Sequence, residues 1–366
     1  MATKSIHNKL LVFPPVVIAH LVQDLADLYR PKIINKSSIE IHYSAQLNGH
    51  PHFGTITSMA TAFASGEYLS SRFKIPAVFK FEALENAPGE QKKVGELTYC
   101  KMLSDCFNGS HSKAKIHMDS FKKLLNFFKM NTTVNYEIES YREFQKNPFV
   151  RKILLKIIAR KSEFIPFISP SEGYLRIRFP CPECSYMEKS SRKTQILSTD
   201  RVDEIILKSH CFEHGGHSIL VKEDNDDFVD FNTAIRNVIK EAKFIEDAKM
   251  NNAFNLMVDG GDWVGMTGLI TESLGLLDYH IRDLPSRLFT PIIEDWSGAK
   301  FSKSVYVEKG TYKDVPEEFV NFTKFEESFG LEGLIKVLDE VRIWISDPKK
   351  IYRNYSVEYL RNVFNI

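Results

Sequence analysis

Apolar and polar residues alternate through "IEIHYSA", with Ile39, Ile41 and Tyr43 on one side, and a period of two predicts a strand over 39–45. Ile56, Met59, Ala60 and Phe63 then recur at helical spacing. The stretch between them, "LNGHPHFGT" at 47–55, places two glycines and two histidines in the turn. Further along, "IPAVFKFEA" (75–83) reads as a second strand, "SFKKLLNFFKM" (120–130) as an amphipathic helix and "TVNYEIES" (133–140) as a third strand. Strands alternating with helices imply a parallel sheet wound right-handedly. "NPFVRKILLKIIARKSEFI" (147–165) is helix-like and basic, with Arg151, Lys152, Lys156, Arg160 and Lys161 either meeting phosphates of an RNA acceptor end or forming the solvated face of a core helix.

Near residue 170 the pattern breaks into short strand pieces separated by Gly, Ser and charged turns, and residues 171–225 read as an inserted module. The sheet then resumes with a helix over 231–244, a buried strand over 252–261 ending in a glycine pair, and another strand over 288–295. From about 315 the tail is helical. The expected fold is therefore α/β, a Rossmann-like doubly wound parallel sheet with an inserted zinc-ribbon-like module and a short helical C-terminal tail. Its halves are expected at 1–170 and 226–310, the insertion at 171–225 and the tail at 311–366.

A chain of 366 residues fits two or three structural units. Lys plus Arg (48) nearly balance Asp plus Glu (47), so no whole-molecule field demands a polyanionic partner. The run "LLVFPPVVIAHL" is too short to span a bilayer and holds two prolines. Five cysteines in such a length do not form a disulfide framework. A soluble protein of a reducing compartment, the cytoplasm, is the expectation, with no membrane partner.

Three of those cysteines carry the most specific chemical signal. Cys181-x-x-Cys184 followed by Cys211-x-x-His214 supplies four ligands in two knuckles, the pattern of a closed tetrahedral structural Zn2+ site. His217 competes with His214 for the fourth position, and His210 does so more weakly.

The end of a first parallel strand is where a doubly wound sheet binds nucleotides, because the next helix offers unpaired N–H groups and the positive end of its dipole. Gly49 and Gly54 allow close backbone approach there, and His52 offers a donor without fixed charge. Some 250 residues later, "SGAKFSKSVYV" carries Lys300, Ser302, Lys303 and Ser304 in a loop after an expected strand, and its lysines suit the charge that develops on a leaving pyrophosphate. Between them, "VDGGDW" ends a strand with Asp262, a carboxylate able to accept from ribose hydroxyls.

"HFGT" at 52–55 and "KFSKS" at 300–304, in this order and each after an expected strand, resemble the two signatures of class I aminoacyl-tRNA synthetases. "SAQLNGHPHFGT", the zinc-binding insertion, "FVDFNTAIRNVIKEAKF" and "VDGGDW" together most resemble the class I lysyl-tRNA synthetases, over roughly residues 38–305. The resemblance implies a class I catalytic domain that binds ATP, with Mg2+, through Gly49, Gly54, Thr55, Gly260, Asp262 and Ser302. It makes His52, Lys300 and Lys303 the catalytic candidates. Thr55 stands where other class I enzymes have a second histidine, and Glu85 is the carboxylate kept in a segment that the subfamily places beside its amino-acid pocket. The stretch after Ser304 is short for that family's helical anticodon-binding domain, so the implied acceptor is a tRNA acceptor end or another molecule. The alternatives are a nucleotidyltransferase of the same superfamily and a silent paralogue binding nucleotide, RNA or a partner protein.

Overall fold

The computed structural model describes residues 18–199, 201, 203–225, 227–295, 298–301 and 316–364. Its first half runs β1 (Ser38–Gln46), α1 (Phe53–Phe73), β2 (Ala77–Leu84), an antiparallel pair β3 (Pro88–Val94) and β4 (Leu97–Met102), α2 (Lys113–Asn131) and β5 (Asn135–Ser140). After α3 (Pro148–Ala159) and α4 (Lys161–Ile168) come three antiparallel strands, β6 (Gln195–Ser198), β7 (Glu204–Cys211) and β8 (Gly215–Lys222). The second half holds α5 (Thr233–Asn251), β9 (Ala253–Gly260), α6 (Met266–Leu276), β10 (Ser286–Thr290), α7 (Phe322–Ile345) and α8 (Val357–Phe364).

The central sheet has the order β10–β9–β1–β2–β5, with every pairing parallel. β1 lies in the middle: the chain winds outward through β2 and β5, then returns to wind outward on the other side through β9 and β10. This is a doubly wound α/β sheet with its switch point between β1 and β9.

The two faces of the sheet differ in chemistry. Ile39, Ile41 and Tyr43 of β1, Phe79 and Phe81 of β2, and Phe254, Leu256 and Val258 of β9 pack with α1, α2, α7 and α8 in one apolar core. The opposite face carries Glu40, His42, Glu82 and Asn255, all buried. His42 stacks on Phe244 of α5 at 3.6 Å between ring centroids, with Nε2 3.1 Å from Asn255 Oδ1. A second apolar core joins α3–α6 to the strands of the insertion through Leu207 and Val221.

Several elements differ from expectation. The β3–β4 hairpin was not expected; its β4 pairs with Met187–Glu188 of the insertion, so the insertion is stitched to the first half of the sheet. The expected strand over 288–295 is broken at Pro291 into β10 and Ile293–Glu294, the latter pairing with Tyr355–Ser356. The stretch 147–165 is two helices broken at Arg160. Within it Arg151 is fully buried and unable to meet an RNA phosphate; its guanidinium donates to the carbonyls of Gln145 and Asp227.

Arg151→Ala removes two charge-assisted hydrogen bonds to buried carbonyls and leaves a cavity. It is expected to lower stability by about 2–4 kcal/mol, read from urea unfolding; an unchanged midpoint would show that this side chain holds nothing together.

Candidate active site and metal centre

The C-terminal ends of β1, β9 and β10 lie on one edge of the sheet because the strands are parallel, and Gly260 is in register with Thr290. A cavity of about 500 Å3 opens there. Its walls include Gly49, His52, Gly54 and Thr55 from the first turn, Gly260 and Asp262 from the end of β9, and Lys300. Three stretches spread over some 250 residues of chain thus converge on one space. Ser302, Lys303 and Ser304 lie outside the described residues.

His52 occupies the N-cap of α1, but its side chain makes no capping hydrogen bond. By contrast Ser112, Asn147, Asn232 and Asn321 cap α2, α3, α5 and α7 through their side chains. An N-terminus not closed by a side-chain cap offers first-turn N–H groups and positive potential to an anion. Gly54 leaves room for the imidazole: a Cβ there would lie 3.0 Å from Cε1 of His52. Gly260 does the same for Asp262, whose Oδ1 would be only 2.6 Å from an added Cβ.

Asp262 Oδ2 accepts from Lys300 Nζ at 2.5 Å, so two residues singled out for different tasks form one ion pair. Both side chains are substantially exposed, and such a pair contributes about 0–1 kcal/mol, so a ligand can part them readily. Lys300 is held by the turn that precedes it: the Phe301 N–H donates to the Ile293 carbonyl at 2.8 Å and the Ala299 N–H to the Asp295 carboxylate at 3.1 Å.

Residues not anticipated as site candidates line the same cavity, including Tyr43, Ser44, Ser58, Thr233, Arg236, Asn237, Lys240, Asp259 and Thr290. Ser58 and Thr290 share a hydrogen bond of 3.0 Å across the floor. Lys240 Nζ donates to Ser44 Oγ at 2.5 Å, and Ser44 donates to Glu82 at 2.6 Å. Burial pushes the Asp259 carboxyl up, against the lowering pull of Lys240 and Arg287. Thr233, Arg236, Asn237 and Lys240 follow i, i+3, i+4, i+7, a polar stripe visible in the sequence but indistinguishable there from a solvated helix face.

Glu85 does not line the cavity. Its carboxylate accepts from the backbone N–H groups of Tyr141 and Arg142 at 2.9 and 3.0 Å, closing the N-terminus of the short helix Tyr141–Lys146. The carboxylate of that segment nearest the cavity walls is Glu82, through Ser44.

In the insertion, ligand atoms of Cys181, Cys184, Cys211 and His214 all lie within 4.8 Å of one another. Cys184 and Cys211 sulfurs are 3.5 Å apart, and His214 Nδ1 is 3.6 and 3.7 Å from Cys181 and Cys211 sulfurs. A tetrahedral zinc with bonds of about 2.3 Å to sulfur needs ligand separations of about 3.8 Å, so these four residues fit one metal ion. Each C-x-x-ligand knuckle is followed by a residue in the left-handed region, Ser185 (φ 62°) and Gly215 (φ 76°), which turns the chain back. Burial would raise the Cys211 thiol, but the backbone N–H groups of Glu213 and His214 with the Cys184 and His214 side chains together outweigh it and hold it at about 7, near the thiolate form a metal takes. His217 is excluded from the cluster; its ring packs edge-on against Phe179 at 5.0 Å.

No protein-family model matches the chain, and no curated protein is similar to it in sequence. Among solved structures it is similar to the glutamate-tRNA synthetase of Elizabethkingia anophelis, at 12% identity and a TM-score of 0.39, over 89% of this chain and 70% of that one. A glutamate tRNA ligase of Elizabethkingia meningosepticum, in complex with its amino acid, is similar at 12% identity and a TM-score of 0.39, over 89% and 68% of the two chains. Likeness this distant carries no weight for activity or substrate.

Glu85→Ala leaves two N–H groups without their acceptor and is expected to lower stability by about 1–3 kcal/mol, read from urea unfolding; an unchanged midpoint would show that this carboxylate does not close the helix. Cys181→Ser is expected to abolish stoichiometric zinc, whereas His217→Ala retains it, both read by elemental analysis; native protein without zinc would refute the metal assignment.

Proposed function

We propose that this protein activates an amino acid with ATP and passes the resulting aminoacyl group to an acceptor, in the manner of the class I lysyl-tRNA synthetases it resembles. The acceptor is a tRNA acceptor end or another molecule. The observation that carries this reading is the meeting of residues 49–55, 260–262 and 300 around one cavity at the switch point of the sheet.

In the reaction a carboxylate oxygen of the amino acid attacks the α-phosphorus of ATP in line, the bond to the bridging oxygen breaks, and pyrophosphate leaves with its electron pair. The attacking carboxylate is already ionised, so no general base is required. Catalysis reduces to positioning and charge stabilisation. The N-terminus of α1 and His52 receive phosphate oxygens. Asp262 exchanges the Lys300 ammonium for ribose hydroxyls, and Lys300 turns to the phosphates, helped by the weakness of that exposed pair. Lys303 joins it in stabilising the pyrophosphate as charge develops, and Mg2+ bound with ATP supplies further charge neutralisation. Cys181, Cys184, Cys211 and His214 would hold a Zn2+ through protein ligands alone, which would keep the insertion together and leave no open position for chemistry.

ATP–pyrophosphate exchange run across the amino acids, with and without tRNA, is expected to respond to one or a few of them. Lys303→Ala should reduce exchange by the equivalent of about 2–4 kcal/mol of transition-state stabilisation while ATP still binds. Exchange with none of them, in protein that binds ATP, would reject amino-acid activation.

A further inference from the structure

Most buried cations around the sheet have a carboxylate partner. Arg178 pairs with Asp230 at 2.6 Å, Arg287 with Glu241 at 2.6 Å, Lys243 with Asp247 at 2.9 Å, and Lys240 approaches Glu82 at 3.7 Å beside Ser44. Arg151 donates instead to two backbone carbonyls, and Arg236 has neither arrangement. Its side chain sits in the cavity wall contributed by α5, the residue is only 6% exposed, and among the described residues no carboxylate comes within 4.0 Å of its guanidinium. Among the described residues its guanidinium makes one hydrogen bond, from a terminal nitrogen to Thr233 Oγ1 at 3.4 Å, long and to a neutral acceptor, and its buried Nε has none. The ring of Tyr141 lies 5.9 Å away and gives only partial compensation.

A buried guanidinium without a counter-charge is strongly unfavourable, and persists where something anionic completes it in the working state. Of the cavity's own carboxylates, Asp262 is paired with Lys300 and Asp259 lies 3.9 Å from Arg287; neither is within 4.0 Å of Arg236. The guanidinium thus faces the cavity with donors left over, and its planar fork suits a carboxylate.

We propose that Arg236 makes this end of the cavity an anion-binding subsite, so that the amino acid taken there bears a side-chain carboxylate and not an ammonium. The proposal rests on the cavity accepting an amino acid. It departs from the substrate that the lysyl-type resemblance implies, since a lysine side chain would bring its ammonium up to Arg236 and Lys240. The α-carboxylate remains free to attack ATP, and the side-chain carboxylate meets the guanidinium as a paired, hydrogen-bonded anion.

Calorimetric titration of the full chain with L-glutamate, L-aspartate and L-lysine, alone and with a non-hydrolysable ATP analogue, tests this directly. One of the two acidic amino acids is expected to bind at least tenfold more tightly than lysine. Arg236→Met should weaken that binding about tenfold or more, the loss of a charge-assisted pair, while raising the thermal midpoint of the ligand-free protein by removing an uncompensated charge. Arg236→Lys, which keeps the charge but not the fork, should fall between. Tighter binding of lysine, no binding of either acidic amino acid, or acidic binding unchanged in Arg236→Met would each overturn the subsite. Loss of inorganic phosphate binding alone in Arg236→Met would do the same, by assigning the guanidinium to a phosphate. Acidic binding without pyrophosphate exchange would keep the subsite and reject activation; exchange with a neutral or basic amino acid would keep activation and reject the subsite.

Discussion

The parallel pairing of β1 with β9 on one side and β2 on the other is the constraint on which the rest depends. Connections leave the C-terminal ends of these neighbours in opposite directions, so neither covers the gap between them. Among the described residues that edge is lined by the first turn after β1, the Gly-Gly-Asp turn after β9 and the turn after β10, with α5 along one wall. Backbone has to come close there, and glycines at 54 and 260 leave space for His52 and Asp262. The open edge, the start of α1 without a side-chain cap and the Asp262–Lys300 pair are consequences of one topology.

The second determinant lies beneath the sheet. Parallel strands buried on both faces are usually near-continuous in apolar residues, yet β1, β2 and β9 place charged and amide side chains against α5. These groups partner one another: His42 bonds Asn255, Ser44 bonds Glu82 and Lys240, Arg287 bonds Glu241, and His42 Nδ1 lies 3.4 Å from a Glu82 oxygen. α5 therefore closes one face of the sheet and lines the cavity with the same stripe of residues. Arg236 is left out of this network, with no acceptor for its Nε among the described residues.

This arrangement also explains what the sequence disclosed. Alternation in β1 and helical spacing in α1 were legible because one face of each packs on an apolar core, and the turn between them carried its histidines and glycines in the open. The cysteine knuckles were legible because ligand spacing is local, and only the choice between His214 and His217 needed the fold. The β3–β4 hairpin was hidden because its "GEQKKV" stretch is polar and exposed, with stability supplied by pairing to Met187–Glu188. The break at Pro291 follows from a missing backbone donor, and the continuous reading of 288–295 underweighted it. Arg151, Glu85 and Arg236 were misread or overlooked for one reason: burial of a charged side chain, and whether a partner meets it, depends on residues far away in the chain.

The central claim is that the crevice between β1 and β9 receives ATP. Hydrogen–deuterium exchange of the intact chain, with and without a non-hydrolysable ATP analogue and Mg2+, tests it most directly. Slowed exchange confined to residues 47–58, 258–263 and 298–304 is the result expected. Protection centred on the insertion or on α7 instead, with these three stretches unaltered at saturating analogue, would contradict it.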